Sequence, residues 1–396
     1  MQPPIYMTTA YEYLDTDHAA KLFNLEEEGN IYTRIGNPTT RIFEKRMAVL
    51  EKGSDAIAVA SGMASIFFSI ANLVSSGDNI IISKELYGGS ITLATQTLKQ
   101  FNIEVKTFDV KDASLLEDLI DDKTKAILFE SIANPALSVP DFENIVNIAN
   151  KYGVITICDN TIATFYSVKP IEYGVDVVVH SSSKYIVGNG SAIGGVIIES
   201  KNLKDKLTEN RYPQFVLPDE SYHGIIFKEK FNSPFIARSR LVLLRDYGAV
   251  LSPFNSWLFL NGLETLHLRI KAHSDNALKI ALFLKEKGFR VNYPFLEDDI
   301  NYKNAKKYLK YASGIVSFDV GSFEKAKKIA NSTKLFKIVT NIGDSKSIIT
   351  HPASTTHQQL SKKELLNAGI SEGLIRLSVG IEDVEDLIRD LDEAIS

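Results

Sequence analysis

Hydrophobic and polar positions along this chain alternate between two rhythms. Short unbroken apolar runs, rich in valine and isoleucine, are followed by longer stretches in which apolar residues recur every three or four positions. The runs Ala56 to Ala60, Asn79 to Ser83, Ile103 to Val110, Ala126 to Glu130, Tyr152 to Asn160 and Val175 to Val179 predict strands. Helical spacing follows in RIFEKRMAVLEKG (from Arg41), after SGM (from Ser61), in LLEDLIDD (from Leu115) and in FENIVNIANKYG (from Phe142). β-branched residues in an unbroken run suit a strand covered on both faces. The alternation therefore predicts an α/β protein with a mostly parallel central sheet and helices on both faces.

Outside this region the rhythm changes. Residues 1–46 mix polar and aromatic positions without lasting periodicity, EEEGN (Glu26 to Asn30) breaks any helix, and an arm is predicted. From Lys201 to Arg240 prolines and many aromatics leave no clean period. Such a long irregular excursion is expected to cover a functional site or an interface. Its aromatic part, Tyr212 to Phe235, reads as a lid or lid support. A long helical region, Ser252 to about Lys287, leads into a second αβ unit with FRVNYP, SGIVSFDV, FEKAKKIANS and LIRLSV. A chain of 396 residues exceeds one compact core. The reading is an arm (1–46), a large domain (47–251) and a smaller C-terminal αβ domain (252–396).

Composition narrows the function classes. Hydrophobic content of 44% with 23% charged residues is that of an ordinary globular protein. A formal net charge of −5 with interspersed signs argues against nucleic acid or an anionic membrane as main partner. The single cysteine, Cys158, excludes an internal disulfide and offers no metal cluster, and inside a buried strand it reads as a packed core thiol. No apolar stretch reaches bilayer-spanning length, and the amino terminus has no basic region followed by an apolar run, so a cytoplasmic location is expected.

The candidate chemistry collects where strands surface. DVVVHSSSKYIVGN, from Asp176, ends a strand in Ser181, Ser183 and Lys184. Open α/β sheets place ligands beyond the carboxyl ends of their strands. An amine beside hydroxyls there is either a solvated loop lysine or the Schiff-base and phosphate site of pyridoxal 5′-phosphate (PLP). Asp159, ending the preceding strand, either caps a turn or pairs with the pyridine nitrogen. At Ser61-Gly62 a strand turns into a helix whose first amides, on Gly62 and Met63, suit an anion. Tyr87, followed by two glycines, either packs in its turn or lies flat on another ring. Asn134 follows a strand end, and Tyr32 with Arg34 stands on an extended piece before the Asn37-Pro38 turn, where a guanidinium suits phosphate oxygens. Arg376 lies inside a strand, which demands an answering anion: a substrate carboxylate or an internal acidic partner.

The motifs YTRIGNPT, SGMAS, ELYGGS, ESIANP, CDNT, HSSSKYIVG, HPASTTH and IRLSVGIED, in this order, resemble the Cys/Met-metabolism family of PLP enzymes over nearly the whole chain. The resemblance implies the PLP-dependent aminotransferase-like fold (fold type I). It implies that Lys184 carries the cofactor and moves protons, that Asp159 pairs with the ring nitrogen, and that Tyr87 stacks on the ring. It implies a phosphate site of Gly62, Met63, Ser181 and Ser183, with Tyr32 and Arg34 reaching the phosphate of a neighbouring subunit. A homo-oligomer follows, a tetramer built from dimers with shared sites. Arg376, Ser347 and Asn134 are implied to take the substrate's α-carboxylate. The excursion YPQFVLPDESYHG (from Tyr212) is most similar to O-acetylhomoserine sulfhydrylases, and Gly89 stands where methionine γ-lyases typically show cysteine. The implied reaction is γ-replacement, O-acetylhomoserine plus sulfide giving homocysteine and acetate. Methionine or cystathionine γ-lyase, cystathionine γ-synthase and a PLP carrier without turnover are the alternatives.

Overall fold

The computed structural model describes residues 2–355, 358, 365 and 369–396. Thr356 and His357, the end of the HPASTTH motif, lie outside the described residues. Seven strands build the larger sheet: β1 (Asp55–Val59), β2 (Asn79–Ser83), β3 (Glu104–Phe108), β4 (Thr124–Glu130), β5 (Ile155–Asp159), β6 (Val177–Ser181) and β7 (Gly195–Glu199). Their order is β1-β7-β6-β5-β4-β2-β3. Strands β3, β2, β4, β5 and β6 are mutually parallel, while β7 runs antiparallel between β6 and β1. The expected mostly parallel sheet is present.

Its inner strands are largely apolar because both faces are covered, whereas edge strand β3 leaves Glu104 and Thr107 exposed. Ala58, Ile127, Cys158 and Val178 point into one core with Phe43 and Met47 of helix Pro38–Leu50 and Ile145 of helix Phe142–Lys151. Val59, Ile82, Leu128 and Val179 point into the other, with Ile66 and Phe68 of helix Gly62–Ala71. Each fully buried Val or Ile contributes about 1.5–3 kcal/mol, so this double-sided arrangement supplies the main stabilisation of the sheet. Cys158 is a buried free thiol, as expected.

None of the described residues of the excursion after β7 lines the cavity at the strand ends. Tyr212, Phe215, Phe227 and Phe235 are fully buried in the second core. The Tyr212 hydroxyl donates to the Lys125 carbonyl (2.7 Å) and accepts the Ile155 N–H (2.9 Å). Those residues begin β4 and β5, at the end of the sheet opposite to Asp159 and Ser181. The lid expected over 212–235 is therefore corrected to a sheet-face cover: its rings are ordered by burying themselves against the strands.

Five strands form the smaller sheet, β8 (Arg290–Asn292), β9 (Ile315–Asp319), β10 (Lys337–Ile338), β11 (Ile348–Thr350) and β12 (Leu374–Ser378), in the order β10-β11-β12-β9-β8. Helices Phe323–Ser332 and Val384–Ile395 pack on it. Helix Pro253–Glu286 joins the two domains. Ser252 caps its start through the Phe254 N–H, with Pro253 at the first position, where a missing N–H costs nothing. Phe259 and Leu263 belong to the first core of the large sheet, and Ala277, Ile280 and Leu284 to that of the small one. Two contacts of this helix fix the turn after β6. A Cβ on Gly262 would stand 2.1 Å from the Ile186 carbonyl oxygen. Arg269 donates to the Tyr185 carbonyl at 2.7 Å.

The boundary drawn at residue 46 falls inside helix Pro38–Leu50, and the one at 251 falls just before the cap Ser252. Ahead of helix Pro38–Leu50 the arm holds one helix, Thr16–Phe23, started by the Asp15 carboxylate accepting the His18 N–H. Among the described residues no helix is long and apolar enough to cross a membrane.

Candidate active site

Parallel strands β4, β5 and β6 end side by side, and the turns leaving them enclose a cavity of about 250 Å³. The turn after β6 brings Lys184 into its lining, where the Nζ donates to the Asn341 side-chain oxygen at 2.8 Å. Burial, reinforced by the charge of Arg376, lowers the Lys184 pKa and favours the neutral, nucleophilic amine. Asp159 lines the wall below. It accepts the Thr161 N–H (2.9 Å) and hydroxyl (2.5 Å). Burial raises its pKa, and those two bonds and His180 oppose the rise.

A second wall is built for an anion. Ser61 caps helix Gly62–Ala71 through the Ala64 N–H, leaving the amides of Gly62 and Met63 at the cavity. A Cβ on Gly62 would lie 2.5 Å from the Ser181 Cβ, so glycine is what lets these amides approach Ser181. Ser183 also lines the cavity, its hydroxyl accepting the Gly194 N–H at 3.0 Å. Helix N-terminal amides beside hydroxyls are a phosphate environment. Tyr87 stands across from this wall, with Gly89 directly against its ring, where a Cβ would be 2.6 Å from Cε1.

Arg376 enters from the small sheet. It is buried in β12 and donates from Nη1 to the Asn134 side-chain oxygen (3.0 Å) and from Nη2 to Thr350 Oγ1 (3.0 Å) and the Asn341 carbonyl (3.2 Å). Its acceptors among the described residues are neutral oxygens, and Nε has none. Burial lowers its pKa to about 10. A buried guanidinium answered only by neutral groups is a site for an incoming carboxylate.

The structure thus gathers Lys184, Asp159, Ser181, Ser183, Gly62, Met63, Tyr87, Asn134 and Arg376 around one cavity. Three residues singled out in the sequence stand outside its lining. Ser347 is buried, its hydroxyl donating to Glu382 (2.9 Å) and accepting the Gly380 N–H (2.8 Å). Tyr32 and Arg34 stack on each other, guanidinium over ring at 4.9 Å. Asn341 and Glu130 are among the lining residues that went unnoticed in the sequence. Asn341 sits in the loop before β11, where only its tether to Lys184 reveals it. Glu130 was visible only as the last residue of an apolar run. Its carboxyl accepts the Tyr87 N–H (2.6 Å) and the Asn134 N–H (3.0 Å).

These residues fit PLP: an amine of lowered pKa, a half-buried carboxyl for the ring nitrogen, and an anion wall whose glycine admits no side chain. The sequence model for the Cys/Met metabolism PLP-dependent enzymes matches residues 1–396. An O-acetyl-L-homoserine sulfhydrylase of Leptospira meyeri is 44% identical, with 99% of this chain and 91% of that one aligned. A homocysteine synthase of Schizosaccharomyces pombe is 43% identical over 99% and 93%. Among solved structures, a chain described as an O-acetylhomoserine (thiol)-lyase of Campylobacter jejuni, carrying a pyridoxyl-lysine monophosphate, superposes with a TM-score of 0.98 at 49% identity, covering 100% of this chain and 95% of its own. A cystathionine γ-lyase of Lactobacillus plantarum superposes at 0.85 with 30% identity, over 99% and 92%.

Proposed function

Because the chain belongs to the Cys/Met metabolism family of PLP-dependent enzymes, we propose that it catalyses γ-replacement on an acylated homoserine, O-acetylhomoserine plus sulfide giving homocysteine and acetate. The observation that carries the reading is Arg376, buried among neutral acceptors and joined through Asn341 to Lys184. It presents a carboxylate site beside Lys184, the one amine of the cavity among the described residues. The choice of leaving group and acceptor is supported by the names of the sulfhydrylase relatives.

In this reading the bound cofactor supplies an electron sink conjugated to the substrate's α-carbon. Arg376 grips the α-carboxylate with two N–H groups, helped by Asn134. Asp159 holds the proton on the ring nitrogen. Gly62, Met63, Ser181 and Ser183 hold the phosphate, and Tyr87 covers the ring. Lys184 would take a proton from the α-carbon, pass it on to the cofactor, and only then, neutral again, take one from the β-carbon. Acetate departs from the γ-carbon, sulfide adds there, and Lys184 returns the protons. Ser347, spent on Glu382 and Gly380, acts on the carboxylate only indirectly, by fixing the strand beside Arg376.

Tyr32 and Arg34 would serve the phosphate of a second subunit, in a dimer paired into a tetramer. The supporting observation is the arm itself, whose Met7, Leu14 and Phe23 are exposed at 70%, 87% and 53%. Apolar residues on an arm without a core of its own fit burial against a second copy of the chain. The division into arm, large and small domains follows, and the small soluble substrates suit the cytoplasm.

The test is a product ratio. With O-acetylhomoserine and excess sulfide, homocysteine should far exceed 2-oxobutyrate. Faster release of 2-oxobutyrate from methionine or cystathionine than of homocysteine would replace this reading with a γ-lyase.

A further inference from the structure

A path of hydrogen bonds crosses the cavity from the Tyr87 turn to Lys184, and Glu130 is its fixed point on the large sheet. One Glu130 oxygen accepts the Tyr87 N–H at 2.6 Å and the other the Asn134 N–H at 3.0 Å. The Asn134 side chain then takes Arg376 at 3.0 Å, the Asn341 carbonyl takes it at 3.2 Å, and the Asn341 side chain takes Lys184 at 2.8 Å. Thr350 and Asn341 belong to the small-domain part of the chain, so Asn134 is the acceptor through which the large domain holds the guanidinium. Asn134 follows β4 in a loop, and Glu130 is what its backbone is fastened to.

We propose that Glu130 is a positioning residue for the substrate carboxylate, acting through Asn134 to aim Arg376 while the same carboxyl holds the Tyr87 turn against the cavity. This rests on the reading of Arg376 as the carboxylate site. The chemistry of Glu130 supports it. A carboxyl at a buried strand end, in register with Asp159, is an expensive group. Burial and then Asp159 push its pKa well up. A neutral side chain would end β4 at less cost. What the carboxyl adds is two acceptors aimed at two separate turns, each bearing a residue of the cavity.

The experiment is a double-mutant cycle on the PLP-loaded protein with Glu130→Met, which keeps the volume and removes both acceptors, and Asn134→Ala. KM and kcat are measured with O-acetylhomoserine. Calorimetric binding of L-2-aminobutyrate, which has no leaving group, reads the carboxylate site without turnover. Glu130→Met should raise KM and the aminobutyrate Kd about tenfold, the size of one misplaced hydrogen bond, with kcat within about threefold. Glu130→Gln, keeping one acceptor, should fall between. The double variant should bind no more weakly than Asn134→Ala alone. Additive losses, or an unchanged KM with a lower melting temperature, would overturn the proposal and leave Glu130 a strand cap. Should Glu130→Met not fold, Glu130→Gln against Asn134→Ala reads the same coupling. Arg376→Lys separates the two claims. If it leaves the aminobutyrate Kd unchanged, the carboxylate site itself has been misassigned.

Discussion

Asp159 and Glu130 stand opposite each other in register at the carboxyl ends of neighbouring parallel strands, two carboxyls in one wall of the cavity. Burial raises both, and two such groups do not ionise together cheaply. Each carboxyl accepts two hydrogen bonds that oppose the rise, Asp159 from Thr161 and Glu130 from Tyr87 and Asn134. Glu130 is in addition raised by the charge of Asp159, a balance that favours charge on Asp159, where a ring nitrogen can use it. Asp159→Asn should cut kcat by about two orders of magnitude or more, the scale of a removed charge partner at a reacting centre. Loss of less than tenfold, in steady-state assays of fully loaded protein, would place the ring nitrogen elsewhere.

Lys184 is the amine of this cavity, and its tether to Asn341 points it inward. After borohydride treatment of the PLP-loaded protein, the pyridoxyl label should map to Lys184 by peptide mass. Lys184→Ala should take up no label and show no turnover. A label retained in that variant would contradict the assignment.

If Arg34 serves the neighbouring subunit, two inactive proteins should repair each other. Mixing Arg34→Ala with Lys184→Ala, with subunit exchange verified by mass, should restore a fraction of wild-type activity, because a hybrid interface holds one intact site. Activity that stays at the level of the separate variants would mean that the arm serves its own chain.

Glu199, at the end of β7, is pushed up to about 8 by burial, against the pull of the Ile236 and Phe235 N–H groups. The folded protein keeps a proton there that the unfolded chain has already released. That contribution is fully present below the unfolded carboxyl's pKa of about 4.3 and is lost as pH rises through 8, at up to about 1.4 kcal/mol per unit. Chemical denaturation should therefore show Glu199→Gln gaining on the wild type from about pH 5 to pH 8, and then holding level. A stability difference that does not change with pH would show Glu199 to be ionised when folded.

Tyr212 tests the corrected role of the aromatic segment. Tyr212→Phe removes the partner of two buried backbone groups, Lys125 C=O and Ile155 N–H. It should cost about 1–3 kcal/mol of stability and leave the homocysteine to 2-oxobutyrate ratio unchanged. A shifted ratio at unchanged stability would restore the segment as a lid.

Legibility in the sequence followed how local the cause was. The strands holding Asp159 and Ser181 announced themselves because burial on both faces writes an unbroken apolar run. The turn at Ser61-Gly62 was readable because a helix cap and a glycine are local needs. Tyr212 to Phe235 misled because aromatic content reports burial without naming the surface that does the burying. Glu130 and Asn341 were invisible for a related reason. Their meaning lies in partners 43 and 157 residues away in the chain, Tyr87 and Lys184, and no spacing encodes that. The helix Thr16–Phe23 was missed because its start depends on one side-chain cap, Asp15.

The close fit of Gly262 under the Ile186 carbonyl sets a limit on engineering this protein. Replacing a mid-helix glycine by alanine is a routine route to greater heat resistance, worth up to about 1 kcal/mol in an open helix. Here the added methyl would press on the backbone two residues beyond Lys184 and push the amine out of alignment. At position 262 the routine gain is therefore forfeited, and the cost reaches the catalyst through a helix none of whose described residues lines the cavity.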